Sequence, residues 1–187
     1  EEMKPNSVIY NTLINAFAKS KEDSALENAL TVLNKMKNLR ENGSTTVAPT
    51  TVTYNSILST CLSTKTGEYD IARKIFQEME LSKLQFDDIA PTTVTYTIFL
   101  RILAKANVPK KSFIAEQIMN TMESDGNEKT QPNNFTYDAL IKLCGRPSSK
   151  DVETRRHCLT LALRTLSKMQ EMDHIQPTSF TYCAFLS

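Results

Sequence analysis

Four rows of side chains in this chain could do chemistry, and it is the chemistry of hydrogen bonding and charge, with no bond making. They read Val8, Asn11, Asn15, Lys19; Val52, Asn55, Ser59, Ser63; Val94, Thr97, Arg101, Lys105; and Phe135, Asp138, Lys142, Arg146. Each row is spaced +3, +7 and +11, which on an α-helix puts its members on one side. Each opens with an apolar residue, passes through a hydrogen-bonding one, and in three of four copies ends basic. A purely solvated face has no need of Val or Phe at the same point every time. Those residues either wedge between the bases of a nucleic acid strand or cap a seam between helices, and the rows alone leave both readings open.

Each row has to ride on a helix, and a second pattern shows where that helix starts. The segment PTTVTYNSIL at Pro49–Leu58 returns at Pro91–Leu100 as PTTVTYTIFL, with weaker copies beginning at Pro5, Pro132 and Pro177. Self-similarity at this period marks a solenoid or array. Pro opens the turn, and the short polar residues after it can cap a helix beginning there. From each Tyr, apolar residues recur at +3, +4 and +7: Tyr10, Leu13, Ile14, Phe17; Tyr54, Ile57, Leu58, Cys61; Tyr96, Phe99, Leu100, Leu103; Tyr137, Leu140, Ile141, Cys144. That is one buried stripe, repeated. The spacing predicts first helices over 7–20, 51–65, 93–106 and 134–146.

A second helix follows in every repeat, with the signature Ala-x-x-[Val/Ile/Thr]-[Leu/Phe/Met]-x-x-Met at Ala29–Met36, Ala72–Met79, Ala115–Met122 and Ala162–Met169. Alanine permits close helix approach and Met fills the seam. These helices are predicted over 23–40, 69–84, 110–124 and 151–172. Ser20 and Asp23 have the spacing of a capping box for the first of them. Glu41–Ala48, Asp125–Gln131 and Gly145–Lys150 are polar and Gly- or Pro-bearing, so solvated loops are expected there.

The totals set limits. Apolar content is 40% and charged content 23%, which fits a folded protein rather than a disordered one. No apolar run nears the roughly 18 residues of a membrane span. The four Cys (Cys61, Cys144, Cys158, Cys183) lack metal-ligand spacing and read as small buried residues. His157 and His174 have no Cys or acid at ligand spacing and are expected at the surface. No phosphate loop or nucleophile–base arrangement stands out, so neither catalysis nor a cofactor is expected of this segment. A catalytic domain outside it stays compatible. The chain starts at Glu1 rather than Met and stops inside a fifth copy at Ser187, so a piece of a longer protein is expected, with any targeting peptide outside it.

Net charge is only +1, but its distribution is uneven. The four first helices carry Lys19, Lys65, Arg101, Lys105, Lys142 and Arg146 against Asp138, a net of +5. The remainder, with 16 basic and 20 acidic residues, carries −4. One positive surface on a neutral protein is the footprint of a phosphate-tracking groove.

The motif [Val/Phe]-[Thr/Ile]-Tyr-[Asn/Thr/Asp]-x-[Leu/Ile/Phe] after a Pro, with GEYDIARKIFQEM at Gly67–Met79, resembles the pentatricopeptide repeat family. The chain lacks the Trp and Leu-Gly of the tetratricopeptide pattern. The resemblance implies an all-α solenoid, a right-handed superhelix of helix–turn–helix repeats whose first helices line the concave face. Repeats are placed at about 6–49, 50–91, 92–132 and 133–177, with a partial fifth at 178–187. It also implies a single-stranded RNA partner, read one base per repeat, in mitochondria or chloroplasts, for processing, stability, editing or translation of transcripts. A protein-interaction scaffold without RNA recognition is the alternative, and protein partners on the outer face suit either.

By the same resemblance, the residue after each Tyr pairs with the residue after the next Pro to read a base: Asn11 with Thr50, Asn55 with Thr92, Thr97 with Asn133, and Asp138 with Thr178. The first two pairs imply pyrimidines and the third adenine; the fourth is assigned no base. Val8, Val52, Val94 and Phe135 are the expected wedges, and Lys19, Lys105 and Arg146 the expected phosphate contacts. Ser63 stands where the second repeat lacks its cation, with Lys65 as its substitute.

Overall fold

The computed structural model describes residues 6–20, 22–44, 46–65, 68–83, 85–146, 152–172 and 175–186. Pro5, Gly67, His174 and the loop residues 147–150 lie outside them. Two compact units emerge, Glu1–Pro91 and Thr92–Ser187. Among the described residues every regular element is helical. This is an all-α helical-repeat protein.

The N-terminal unit holds α1 (Ser7–Ser20), α2 (Ala25–Glu41), α3 (Thr51–Ser63), α4 (Tyr69–Ser82) and a 3-10 turn at Asp87–Ile89. Here α1 packs on α2 and α3, and α3 also packs on α4. The C-terminal unit holds α5 (Thr93–Lys105), α6 (Lys111–Ser124), α7 (Asn134–Cys144), α8 (Val152–Glu171) and α9 (Ser179–Leu186). Its first helices α5, α7 and α9 stand side by side, and α6 and α8 form a second layer behind them.

The periodic stripe explains the core. Tyr54, Ile57, Leu58 and Cys61 are buried, as are Tyr96, Phe99, Leu100 and Leu103, and Tyr137, Leu140, Ile141 and Cys144. In α1 only Ile14 is fully buried, and Leu13 stays 42% exposed. Tyr10 and Phe17 are half-buried, with Lys35 Nζ over the Tyr10 ring. Behind the stripe, Ala29, Ala72, Ala115 and Ala162 and their paired Met36, Met79, Met122 and Met169 are all buried. The Ala lets the helices approach and the unbranched Met fills what remains.

Two expectations are corrected. Helix α2 begins at Ala25 after Ser24, so Ser20 is not its cap. Ser20 instead ends α1, its hydroxyl donating to the Phe17 carbonyl at 3.0 Å. The long loops are also not wholly solvated, since Val47 and Thr130 are buried.

The cause is a clamp that recurs at the first residue of α1, α3 and α5. Ser7 Oγ donates to the carbonyls of Thr46 and Ala48 at 3.0 and 3.1 Å. Thr51 Oγ1 does the same to Asp88 and Ala90 at 3.0 and 2.9 Å. Thr93 Oγ1 reaches Lys129 and Gln131 at 3.1 and 2.8 Å. Each clamp grips the backbone just before the next repeat's Pro. Insertions are absorbed upstream of it, and the start of the next helix is held in register.

Candidate nucleic-acid interface

The first member of each row stands clear of the protein. Val8, Val52, Val94 and Phe135 are among the most exposed large apolar side chains, Phe135 at 75%. Side chains this exposed are not buried in the helix–helix seam. Lys19, Lys65, Arg101, Lys105, Lys142 and Arg146 are exposed as well. Ser63 turns back to donate to the Thr60 carbonyl at 2.7 Å.

Between wedge and cation, the second residue is held by the next repeat. Thr53 Oγ1 donates to Asn11 Oδ1 at 2.8 Å while accepting from the Thr50 backbone N–H at 3.0 Å. Thr136 Oγ1 accepts from the Asn133 N–H at 3.3 Å and donates to Asn133 Oδ1 at 3.1 Å. It also meets Thr97 Oγ1 at 2.9 Å, where either hydroxyl can donate. Thr181 Oγ1 accepts from the Thr178 N–H at 2.9 Å and donates to Asp138 Oδ1 at 2.5 Å.

The result is one relay seen three times: backbone N–H of the helix cap, hydroxyl of the Thr that precedes each Tyr, then the polar tip of the preceding repeat. These threonines are fully buried and carry no direct contact surface. They are the residues that a search for exposed polar positions passes over. Their signal lay in the motif itself, as the Thr that recurs at 53, 95, 136 and 181.

The relay also gives the partner residues two duties. Thr50, Thr92 and Asn133 are the N-caps of α3, α5 and α7, each in a capping box with the Thr three residues on. Asn133 Oδ1 accepts from the Thr136 N–H at 3.1 Å, which leaves its amide N–H2 to face another partner. Asn55 and Thr92 belong to different units; both are half-buried. Asp138 is 9% exposed, more enclosed than Asn11 or Thr97, because its carboxylate is drawn onto Thr181.

In the C-terminal unit the row residues enclose a cavity of about 680 Å³, within the size range of ligand sites. Val94 and Phe135 flank it; Thr97, Asn133, Asp138 and Thr178 supply its polar tips; Arg101 and Lys142 supply positive charge.

His157 is half-buried rather than exposed. It stacks on Phe113 with ring centroids 3.7 Å apart and an interplanar angle of 13°. Its Nδ1 meets Ser112 Oγ at 3.0 Å and its Nε2 meets Glu116 Oε2 at 2.9 Å. These partners come from α6, a helix away in sequence, so ligand spacing along the chain could not reveal them. The Ser–His–Glu order looks hydrolytic, but Ser112 is fully buried and its hydroxyl is closed to a substrate. Cys61, Cys144 and Cys158 are buried and Cys183 is exposed; all four are free thiols. Burial, with the Glu68 carboxylate adding to it, pushes Cys61 up to about 12, which makes it inert at neutral pH. Among the described residues no three His, Cys, Asp or Glu side chains gather as a metal site. No described helix is long and apolar enough to cross a membrane.

Within each unit, helical hairpins packed side by side define a helical-repeat protein. The pentatricopeptide repeat domain matches residues 1–64 and 81–147, and the PPR repeat family matches 49–105. The chain belongs to the pentatricopeptide repeat family. A pentatricopeptide repeat-containing protein of Arabidopsis thaliana is 30% identical over 141 residues, which is 73% of this chain. The chain spans 21% of that relative's length.

Proposed function

We propose that this chain binds single-stranded RNA, one base per repeat, with repeats bounded at about 6–49, 50–91, 92–132 and 133–177 and a partial fifth at 178–187. Val8, Val52, Val94 and Phe135 separate successive bases. The pairs Asn11/Thr50, Asn55/Thr92, Thr97/Asn133 and Asp138/Thr178 meet the base edges, and Lys19, Lys105 and Arg146 reach phosphate. The observation that carries this reading is the cavity between Val94 and Phe135, where apolar walls, polar tips and cations converge. Family membership supports it, as does the concentration of positive charge on the first helices. The setting is an organellar transcript in a mitochondrion or chloroplast, bound for processing, editing, stability or translation.

Relay geometry agrees with the base identities. Asn11 commits its oxygen to Thr53, so its amide N–H2 is what remains for a base carbonyl, as a pyrimidine offers. Thr97 shares a hydrogen bond with Thr136 and keeps a lone pair for the base, while Asn133 keeps N–H2. That donor–acceptor pair complements the amino group and ring nitrogen of adenine.

A selection from random single-stranded RNA at two salt concentrations tests the reading. Enrichment of pyrimidine–pyrimidine–adenine, running toward the RNA 3′ end, is expected. With three phosphate contacts, log affinity should fall against log salt with a slope of about −2. No enrichment, and no salt dependence, would favour a scaffold that binds protein. One observation leans that way: Val152, Leu159 and Leu163 are exposed along one side of α8, where an apolar partner could pack.

A further inference from the structure

We infer that the slot formed by Asp138 and Thr178 takes guanine. This rests on the RNA-binding reading above and adds the one base that neither the motif nor the family resemblance assigned.

The argument is a proton count. Thr181 Oγ1 has one proton and gives it to Asp138 Oδ1 at 2.5 Å. Thr178 Oγ1 lies 3.3 Å from Thr181 Oγ1, so in that contact Thr178 must be the donor. Thr178 Oγ1 also accepts from the Thr181 backbone N–H at 3.3 Å. In that arrangement its proton is turned to Thr181, and a lone pair is left for the slot. An ionised carboxylate has no proton to offer either. Both reading groups of this slot present acceptors alone.

In an unpaired strand the Watson–Crick edge of each base is free to be read. Guanine alone carries two adjacent donor groups on that edge, N1–H and the N2 amino group. Adenine and cytosine set one amino group beside a bare ring nitrogen, whose lone pair would face the carboxylate. Uracil has one N–H between two carbonyls. An all-acceptor slot suits guanine and repels the others through at least one lone-pair contact. Arg101 and Lys142 line the same cavity and offset the charge that Asp138 brings near a phosphate backbone. The neighbouring slot, with a lone pair on Thr97 and N–H2 on Asn133, has mixed polarity and serves as the internal control.

The test uses the full 187-residue chain. Its probes are short single-stranded RNAs carrying pyrimidine–pyrimidine–adenine–X, where X is each of the four bases or inosine. Guanine at X should bind about tenfold tighter than uracil, the discrimination expected of one good bidentate contact. Inosine, which lacks the N2 amino group, should lose several-fold against guanine. Asp138→Asn recreates the Asn/Thr pair of the first two slots and should move the preference at X from guanine to a pyrimidine. Equal binding at X while the pyrimidine–pyrimidine–adenine preference persists would overturn this inference alone. A guanine preference unchanged in Asp138→Asn, or inosine equal to guanine, would overturn it too. Failure to bind any of these RNAs would instead bring down the RNA-binding reading. If Asp138→Asn loses its helical circular dichroism, the inosine comparison still decides, because it changes only the RNA.

Discussion

Asn11 and Thr53 meet across 2.8 Å, the carboxamide of one repeat against the hydroxyl of the next. The same contact joins Thr97 to Thr136 and Asp138 to Thr181. The hydroxyl is buried and already accepts from the backbone of its own helix cap, so it has a single proton to give. Repeat stacking and the hydrogen-bonding polarity of the tip are thus one device. A change in how two hairpins pack at this point would change what the tip offers.

Thr53→Val keeps the shape and removes the hydroxyl. It leaves the Thr50 N–H and Asn11 Oδ1 without their partner in a buried site. Denaturant unfolding should show a loss of about 1–3 kcal/mol. Thr53→Ser, which keeps the hydroxyl, should recover most of it, and equal stability of the Val and Ser variants would rule out the relay as a structural element.

Met79 is fully buried behind α3, whereas Leu81 on the same helix is 71% exposed. Met79→Ala should cost about 2–5 kcal/mol through the cavity it leaves. Leu81→Ala should stay within about 0.5 kcal/mol of the parent. Equal effects on thermal melting would contradict the assigned orientation of α4.

Asn134 occupies the helix position where Ser7, Thr51 and Thr93 make their clamps. Its Oδ1 is, among the described residues, the buried side-chain polar atom that lacks a hydrogen bond. Asn134→Thr removes that orphan and supplies the hydroxyl used by the other repeats. A gain of about 1 kcal/mol is expected, read as a higher unfolding midpoint; a lower midpoint would show that the amide is needed there.

Burial alone would raise the Glu116 carboxyl, but hydrogen bonds from His157 and Arg164 overcome it and hold the group below the usual carboxylate range. A carboxyl depressed in the folded state contributes stability above its unfolded value of about 4.3 and loses it as pH falls through the folded value. Acid should therefore weaken the C-terminal unit. Arg164→Ala should narrow the stability difference between pH 6 and pH 3, and an unchanged acid limb in equilibrium unfolding would show that the pair carries no such coupling.

Periodicity alone determined the helical hairpin, the buried Tyr stripe and the Ala/Met seam, because a side chain's place around a helix follows from its number along it. It also placed the wedges and cations on one side of each first helix, for the same reason. It misjudged Ser20, since a cap depends on where the chain turns rather than on which residues are near. It could not reach the Ser112–His157–Glu116 cluster or the Thr53, Thr136 and Thr181 relays. Those join residues about 40 positions apart, and only the stacking of one hairpin on the next brings their hydroxyls, carboxamide and carboxylate within 3 Å. The sequence named the atoms available; tertiary packing decided which of them had a proton left to offer.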